Sequence, residues 1–274
     1  KDITPVKDTI KIISFVISAN MAIPIFSPII GGILNDNFGW QSIHIFLIIV
    51  STPLLLFTYF QLNETNIHIN QGKQKITKEF IKLLKNKNFY ILLIISLIAI
   101  FTSFTFMAIS PYLVITLKGY NSLELGFLSF FVSLGFIVGS LISGFIKKIK
   151  ASMLIKIGSF ICCINYLFLS IYLYYINDFN IIILYFFISI AAIGKGLIIP
   201  SVSGLIVNFN ERISGTSLGF LSFIKLIFAA FSILFIVNLV TQNYFSIFLL
   251  YLALYIISLI LIFFLKFGKS VYTI

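Results

Sequence analysis

Acidic side chains are scarce in this sequence. Only eight Asp and Glu stand among 274 residues, and Asp2, Asp8, Asp36, Glu64, Glu79, Glu124, Asp178 and Glu211 all fall in polar connections or at the ends of apolar runs. A carboxylate in the membrane interior whose protonation alternates, the usual means of proton coupling, is therefore missing from these residues. Cysteine is limited to Cys162 and Cys163, adjacent on an apolar run, which read as packing residues and not as a redox pair. Histidine is limited to His44 and His68, both near the edge of an apolar run, where an interfacial role is favoured over a proton relay. Glycine-rich dinucleotide or phosphate-binding loops, H-E-x-x-H and metal-spaced Cys/His clusters do not occur, so neither a cofactor nor a metal is expected, and no enzyme reading has a nucleophile–base set to stand on.

Apolar residues take up the space. Hydrophobic types make up 60% of the chain and charged types 10%, with a mean hydropathy of +1.12, more apolar surface than a soluble domain of this length can hide. A bilayer is crossed by about 20 helical residues. Eight runs reach that length: 10–34, 43–62, 89–117, 123–146, 155–176, 179–207, 213–240 and 244–265. The first reads as a span and not as a cleavable leader, because it is long and lacks a small-residue cleavage pattern.

The basic residues orient these spans. Eight spans put both ends of the chain on one side, and 16 of the 19 Lys and Arg fall on that side, in clusters around Lys7, Lys78, Lys148, Arg212 and Lys266. The positive-inside rule makes it the cytoplasmic side. A net charge of +11 also suits nucleic-acid binding, but these lysines flank spans and do not form one patch, so no nucleic acid is expected. The polar connection 63–88 ends in 76–84, where apolar residues recur at helical spacing between lysines, the pattern of an interfacial helix on an anionic leaflet.

Residues 21–40 are the most distinctive stretch. Pro24, Pro28, Gly31 and Gly32 lie within nine residues of an apolar run, where a soluble helix would break. A membrane bundle tolerates them, because neighbouring helices re-satisfy the freed carbonyls and the glycines admit a close backbone approach. Such interrupted helices suit a transporter. The series Pro24-x-x-x-Pro28-x-x-Gly31-Gly32, followed by Phe38-Gly39-Trp40, resembles the fifth span of drug–proton antiporters of the major facilitator superfamily, in particular the Bcr/CflA branch. Ile23, Ser27 and Gln41 depart from that branch's pattern.

Ser110-Pro111-Tyr112 with Gly119-Tyr120 and Gly126 resembles the same branch around spans seven and eight. Gly196-x-x-x-Pro200 leading to Glu211-Arg212-x-x-Gly215-Thr216-x-x-x-Gly219-Phe220 is similar to its span ten–eleven junction. The resemblance implies an all-α membrane protein with the major facilitator fold, cut to about eight spans that correspond to five to twelve of twelve. Residues 1–62 would close an N-terminal bundle, 63–88 form the cytoplasmic loop between bundles, and 89–274 make the C-terminal six-helix bundle. It implies a multi-pass protein of the bacterial inner membrane that exports drugs or metabolites against protons. An uptake carrier for a metabolite, and a non-transporting remnant or partner of a separately encoded N-terminal piece, stay open.

The candidate site residues follow. Lys195 and Lys225 are the only charges inside spans, and at about 1.5 Å per residue they share a depth on neighbouring helices. Spans ten and eleven line the central cavity in the superfamily, so both lysines are candidates for a substrate, alongside Asn20, Phe104, Phe106 and Tyr112. Neither lysine is inherited from the family pattern. Gly135-x-x-x-Gly139 with Ser140, Ser143 and Gly144 forms a close-packing stripe by spacing, and Pro111, Pro200 and Gly215 join Pro24, Pro28, Gly31 and Gly32 as bending or packing positions. The expected partners are lipid, a small-molecule substrate, protons and four further N-terminal spans. Residues 1–274 on their own are expected to insert poorly and to move nothing across vesicle membranes. Proton-dependent transport by the chain reconstituted alone overturns that expectation.

Overall fold

The computed structural model describes residues 39–61, 84–146, 149–176, 179–209, 214–240 and 244–265, with isolated positions between 15 and 38 and at 81. The regular structure among these residues is all helical, joined by short turns and without a strand. Seven helices follow one another: α1 (Gln41–Gln61), α2 (Lys87–Pro111), α3 (Ser122–Phe145), α4 (Ala151–Tyr175), α5 (Ile181–Phe209), α6 (Ser214–Val240) and α7 (Tyr244–Phe263). All seven are long and apolar enough to cross a membrane. The expected span 10–34 and the expected interfacial helix 76–84 lie largely outside the described residues, and with them Asn20, Pro24, Pro28 and Gly32.

Local chemistry sets the helix ends. Asn86 caps α2 by accepting from the Asn88 N–H at 2.9 Å. At α3 the Asn121 carbonyl accepts from the Glu124 N–H and the Glu124 carboxylate accepts from the Asn121 N–H, both at 2.8 Å, a reciprocal capping box. Helix α2 continues through Pro111 into a wider π turn, Tyr112–Thr116, in which the Leu117 N–H reaches the Tyr112 carbonyl at 3.0 Å. Pro111 cannot donate to the Met107 carbonyl; the Ser110 hydroxyl does so in its place at 3.1 Å. Gly119 then turns the chain with φ of 71°, a conformation that a side chain resists.

Helices α2 to α7 form one bundle around a shared core, whereas α1 buries none of its residues. The principal pairings are α3 with α5, α4 with α5, α4 with α7, α2 with α6, α2 with α5, α5 with α6 and α2 with α7, with smaller contacts of α6 with α7 and α2 with α3. Exchanging α2 with α5, α3 with α6 and α4 with α7 maps all of these but α6 with α7 onto one another. The bundle is thus two three-helix units of opposite direction, a nested inverted repeat as the resemblance implies.

Lipid tails are as apolar as leucine, so helices in a membrane associate by fit and by polar contacts and not by expulsion of water. Glycine supplies the fit around α5. A Cβ at Gly135 would run into the Ser189 carbonyl, one at Gly139 into the Ile193 carbonyl, and one at Gly196 into the Phe136 carbonyl. On the other flank, a Cβ at Gly158 would stand 2.5 Å from the Gly194 carbonyl oxygen. Gly144 is buried beside Ser143, whose hydroxyl lies 3.1 Å from that of Ser201. Gly126, Gly215 and Gly219 by contrast have nothing within 4 Å of a built Cβ.

Gly139→Ala and Gly196→Ala are therefore expected to push α3 from α5 and to destabilise the bundle by about 1–3 kcal/mol, the cost of overpacking. Gly126→Ala and Gly219→Ala should be neutral or stabilising, by up to about 1 kcal/mol of helix propensity. Unfolding in mixed detergent micelles, followed by circular dichroism, separates the two pairs.

Candidate functional site

Lysine 195 is the midpoint of α5, which runs Ile181–Phe209, and its side chain is only 3% exposed. Its ammonium nitrogen sits 5.9 Å from the centroid of the Tyr166 ring on α4. Cys162 is also sealed and donates its thiol hydrogen to the Ala191 carbonyl at 3.2 Å, one turn before Lys195. Among the described residues Glu124 is the single carboxylate, and it is engaged at the start of α3. A desolvated cation over an aromatic face gains about 2 kcal/mol, and a lysine at the centre of a span costs roughly 2.5–3.5 kcal/mol on insertion scales. The ring alone does not balance the charge.

Tyr166 belongs to a cluster of three tyrosines with no exposure, the others being Tyr251 and Tyr255 of α7. Tyr166 stacks on Tyr255 with centroids 5.6 Å apart and meets Tyr251 edge-on at 5.4 Å. Helix α2 supplies the hydroxyl partners. The Thr105 hydroxyl donates to the Phe101 carbonyl at 2.5 Å, so it accepts from the Tyr251 hydroxyl at 2.6 Å. In the same way Thr102 donates to the Ile98 carbonyl at 3.1 Å and accepts from Tyr255 at 3.3 Å. Ser159 and Ser258 join α4 to α7 at 3.0 Å. The Tyr166 and Tyr185 hydroxyls, the Asn165 carbonyl oxygen and the Ser170 hydroxyl are sealed without a hydrogen-bond partner among the described residues. Each such group costs about 1–3 kcal/mol.

The other candidates are scattered. Lys225 is half-buried on α6, between Leu221 and Ala229, which face inward. Phe106 is buried with its ring edge-on to Tyr185 at 5.4 Å, Phe104 is half-buried, and Tyr112 is exposed in the π turn. Pro111 and Pro200 lie inside α2 and α5, and Gly31 and Gly215 touch nothing within 4 Å. The structure thus places Lys195 over Tyr166, whose ring meets Tyr251 and Tyr255 of α7, with Cys162 bonded one turn before the lysine. The tyrosines were not anticipated. Their signal was the i, i+4 spacing of Tyr251 and Tyr255 opposite the i, i+3 spacing of Thr102 and Thr105.

A bundle of two inverted three-helix units, apolar outside and carrying a charge at mid-depth, defines a membrane transporter class. The chain belongs to the Major Facilitator Superfamily, whose family model matches residues 1–233, and it is a multi-pass membrane protein. It is similar to Multidrug resistance protein MdtL of Escherichia coli O81 (strain ED1a) and of Escherichia coli O6:H1 (strain CFT073). The identity is 26% over 111 residues in each case, and the aligned part is 40% of this chain and 28% of those relatives' length.

Lys195→Met should improve membrane insertion of α5 by about 2 kcal/mol or more, since it removes an interior charge. Tyr251→Phe should instead weaken the bundle by about 0.6–1.5 kcal/mol, because the Thr105 hydroxyl loses its donor. A glycosylation-site insertion assay measures the first and micelle unfolding the second.

Proposed function

We propose that this chain serves in a transporter that moves small molecules across the bacterial cytoplasmic membrane, exporting drugs or metabolites in exchange for protons, of the Bcr/CflA type. The observation that carries this reading is the six-helix inverted repeat of a Major Facilitator Superfamily chain, one half of a fold in which two such bundles rock against each other around a site between them. The name of the MdtL relatives supports a drug substrate, and the Pro/Gly series at 24–32 and the junction motif at 211–220 support the branch. Residues 1–62 would belong to the N-terminal bundle and 89–274 to the C-terminal one, with both ends of the chain cytoplasmic, in keeping with the lysine clusters.

Within this reading the two interior lysines divide the work. Lys225, half-buried on α6 next to exposed Ser222 and Phe223, is the cation a substrate can reach, and it favours anionic or electron-rich substrates. Lys195 is sealed and acts on the frame. In the protein expressed from its native gene, Lys225→Gln should alter transport more than loss of the loop lysine Lys85 and shift preference away from anionic substrates. Efflux of ethidium and of an anionic dye such as carboxyfluorescein from loaded cells reads both quantities. If Lys195→Ala and Lys225→Gln both leave rate and selectivity unchanged, the lysines serve only packing and snorkelling.

A further inference from the structure

One end of the bundle carries an arrangement of cations and rings apart from the candidate site. Helix α7 ends at Phe263 and Phe264 follows in a turn, both exposed, and a lysine from each of two neighbouring helices lies over one of them. Lys156 of α4 sits 4.9 Å from the Phe263 centroid, and Lys87, the first residue of α2, sits 5.8 Å from that of Phe264. Lys85 and Lys150, both exposed, stand at the starts of the same two helices. No carboxylate occupies this end among the described residues; Glu124 is at the opposite end, beyond the full length of α2.

We propose that this end of α7, between Lys87 and Lys156, binds the headgroup of an anionic phospholipid. A ring contact engages one side of an ammonium that carries three donors, so each lysine is oriented by its phenylalanine and still able to donate to a phosphate oxygen. Two cations from different helices flank a single helix end, an arrangement that suits an anionic headgroup and that the positive-inside bias alone does not require. The surroundings select a lipid over a soluble phosphate. Met153 and Phe160 share the exposed face of α4 with Lys156, and Ile256 and Ile260 share the exposed face of α7 with Phe263. These two faces meet where Lys156 lies over Phe263, so an acyl chain hanging from a phosphate held there has an apolar wall on both sides. The bound lipid would join α2, α4 and α7 at their shared end and so brace the contact between the two three-helix units.

The test uses the purified chain in lipid nanodiscs and in neutral detergent, with helical content checked by circular dichroism. Native mass spectrometry and a lipid titration compare phosphatidylglycerol with phosphatidylcholine of the same chains. The expected result is preferential retention of phosphatidylglycerol, weakened about thirtyfold in the double variant Lys87→Gln/Lys156→Gln, the equivalent of about 1 kcal/mol for each lysine. The double variant Lys87→Arg/Lys156→Arg should keep most of the affinity, and Lys118→Gln, at the other end, should change nothing. Equal retention of the two lipids overturns the proposal, as does undiminished binding by the double glutamine variant with its fold intact. Displacement of the lipid by inorganic phosphate at equal concentration overturns it too, and assigns the lysines to a soluble anion.

Discussion

The close backbone approach of α3 and α4 to α5 is the constraint on which the rest of the bundle depends. Five glycines make it possible, Gly135 and Gly139 on α3, Gly158 on α4, and Gly194 and Gly196 on α5 itself. Once α5 is held this tightly on both flanks, its remaining side chains have no freedom of placement. Ala191, Lys195 and Ile198 must point into the interior between α4 and its neighbours, and Lys195 is delivered to the ring of Tyr166. Pro200, one turn beyond Gly196, cannot donate to the Gly196 carbonyl, so the same contact tolerates a helix whose own ladder is interrupted. Helix α6, the mate of α3 in the repeat, has glycines whose missing Cβ would meet nothing, and its packing against α2 is less extensive than that of α3 against α5.

In a medium without water, polar groups replace apolar burial as the means of telling one helix face from another. Hydroxyls on α2 and phenols on α7 fix the register of that pair, as Ser159 and Ser258 do for α4 and α7. The same low-dielectric setting makes an uncompensated cation expensive, which is why Lys195 demands a functional account and the many exposed lysines do not. Its aromatic neighbour offsets part of that cost and does not remove it.

Much of the fold could be read from the sequence because a span announces itself by length and apolarity. The expected run 43–62 is helix Gln41–Gln61, and 89–117 is Lys87–Pro111 with its π turn. The run expected from 155 begins as a helix at Ala151, since a helix starts at its cap and not where its apolar stretch starts. The stripe of Gly135 and Gly139 declared a close contact but not its partner, which only the fold supplies. The site was less legible. Lys195 and Lys225 stood out as charges in apolar runs, yet a helix that is apolar all round gives no periodic signal for which face turns inward. Tyr166, Tyr251 and Tyr255 were hidden among 13 tyrosines, most of which serve equally well against lipid.

The inverted repeat gives every position in one three-helix unit a counterpart in the other, and the tyrosine cluster straddles the axis that relates them. Under the exchange of α2 with α5 and of α7 with α4, the α2–α7 pair, which holds Thr102 and Thr105 against the α7 tyrosines, has as its image the α4–α5 pair, which holds Lys195 over Tyr166. One duplicated helix pair is therefore filled in two ways, by neutral hydroxyls in one copy and by an amine in the other. A fold that repeats its helix order has in this way acquired two seams of different chemistry, alike in topology and unlike in what a change of protonation would disturb.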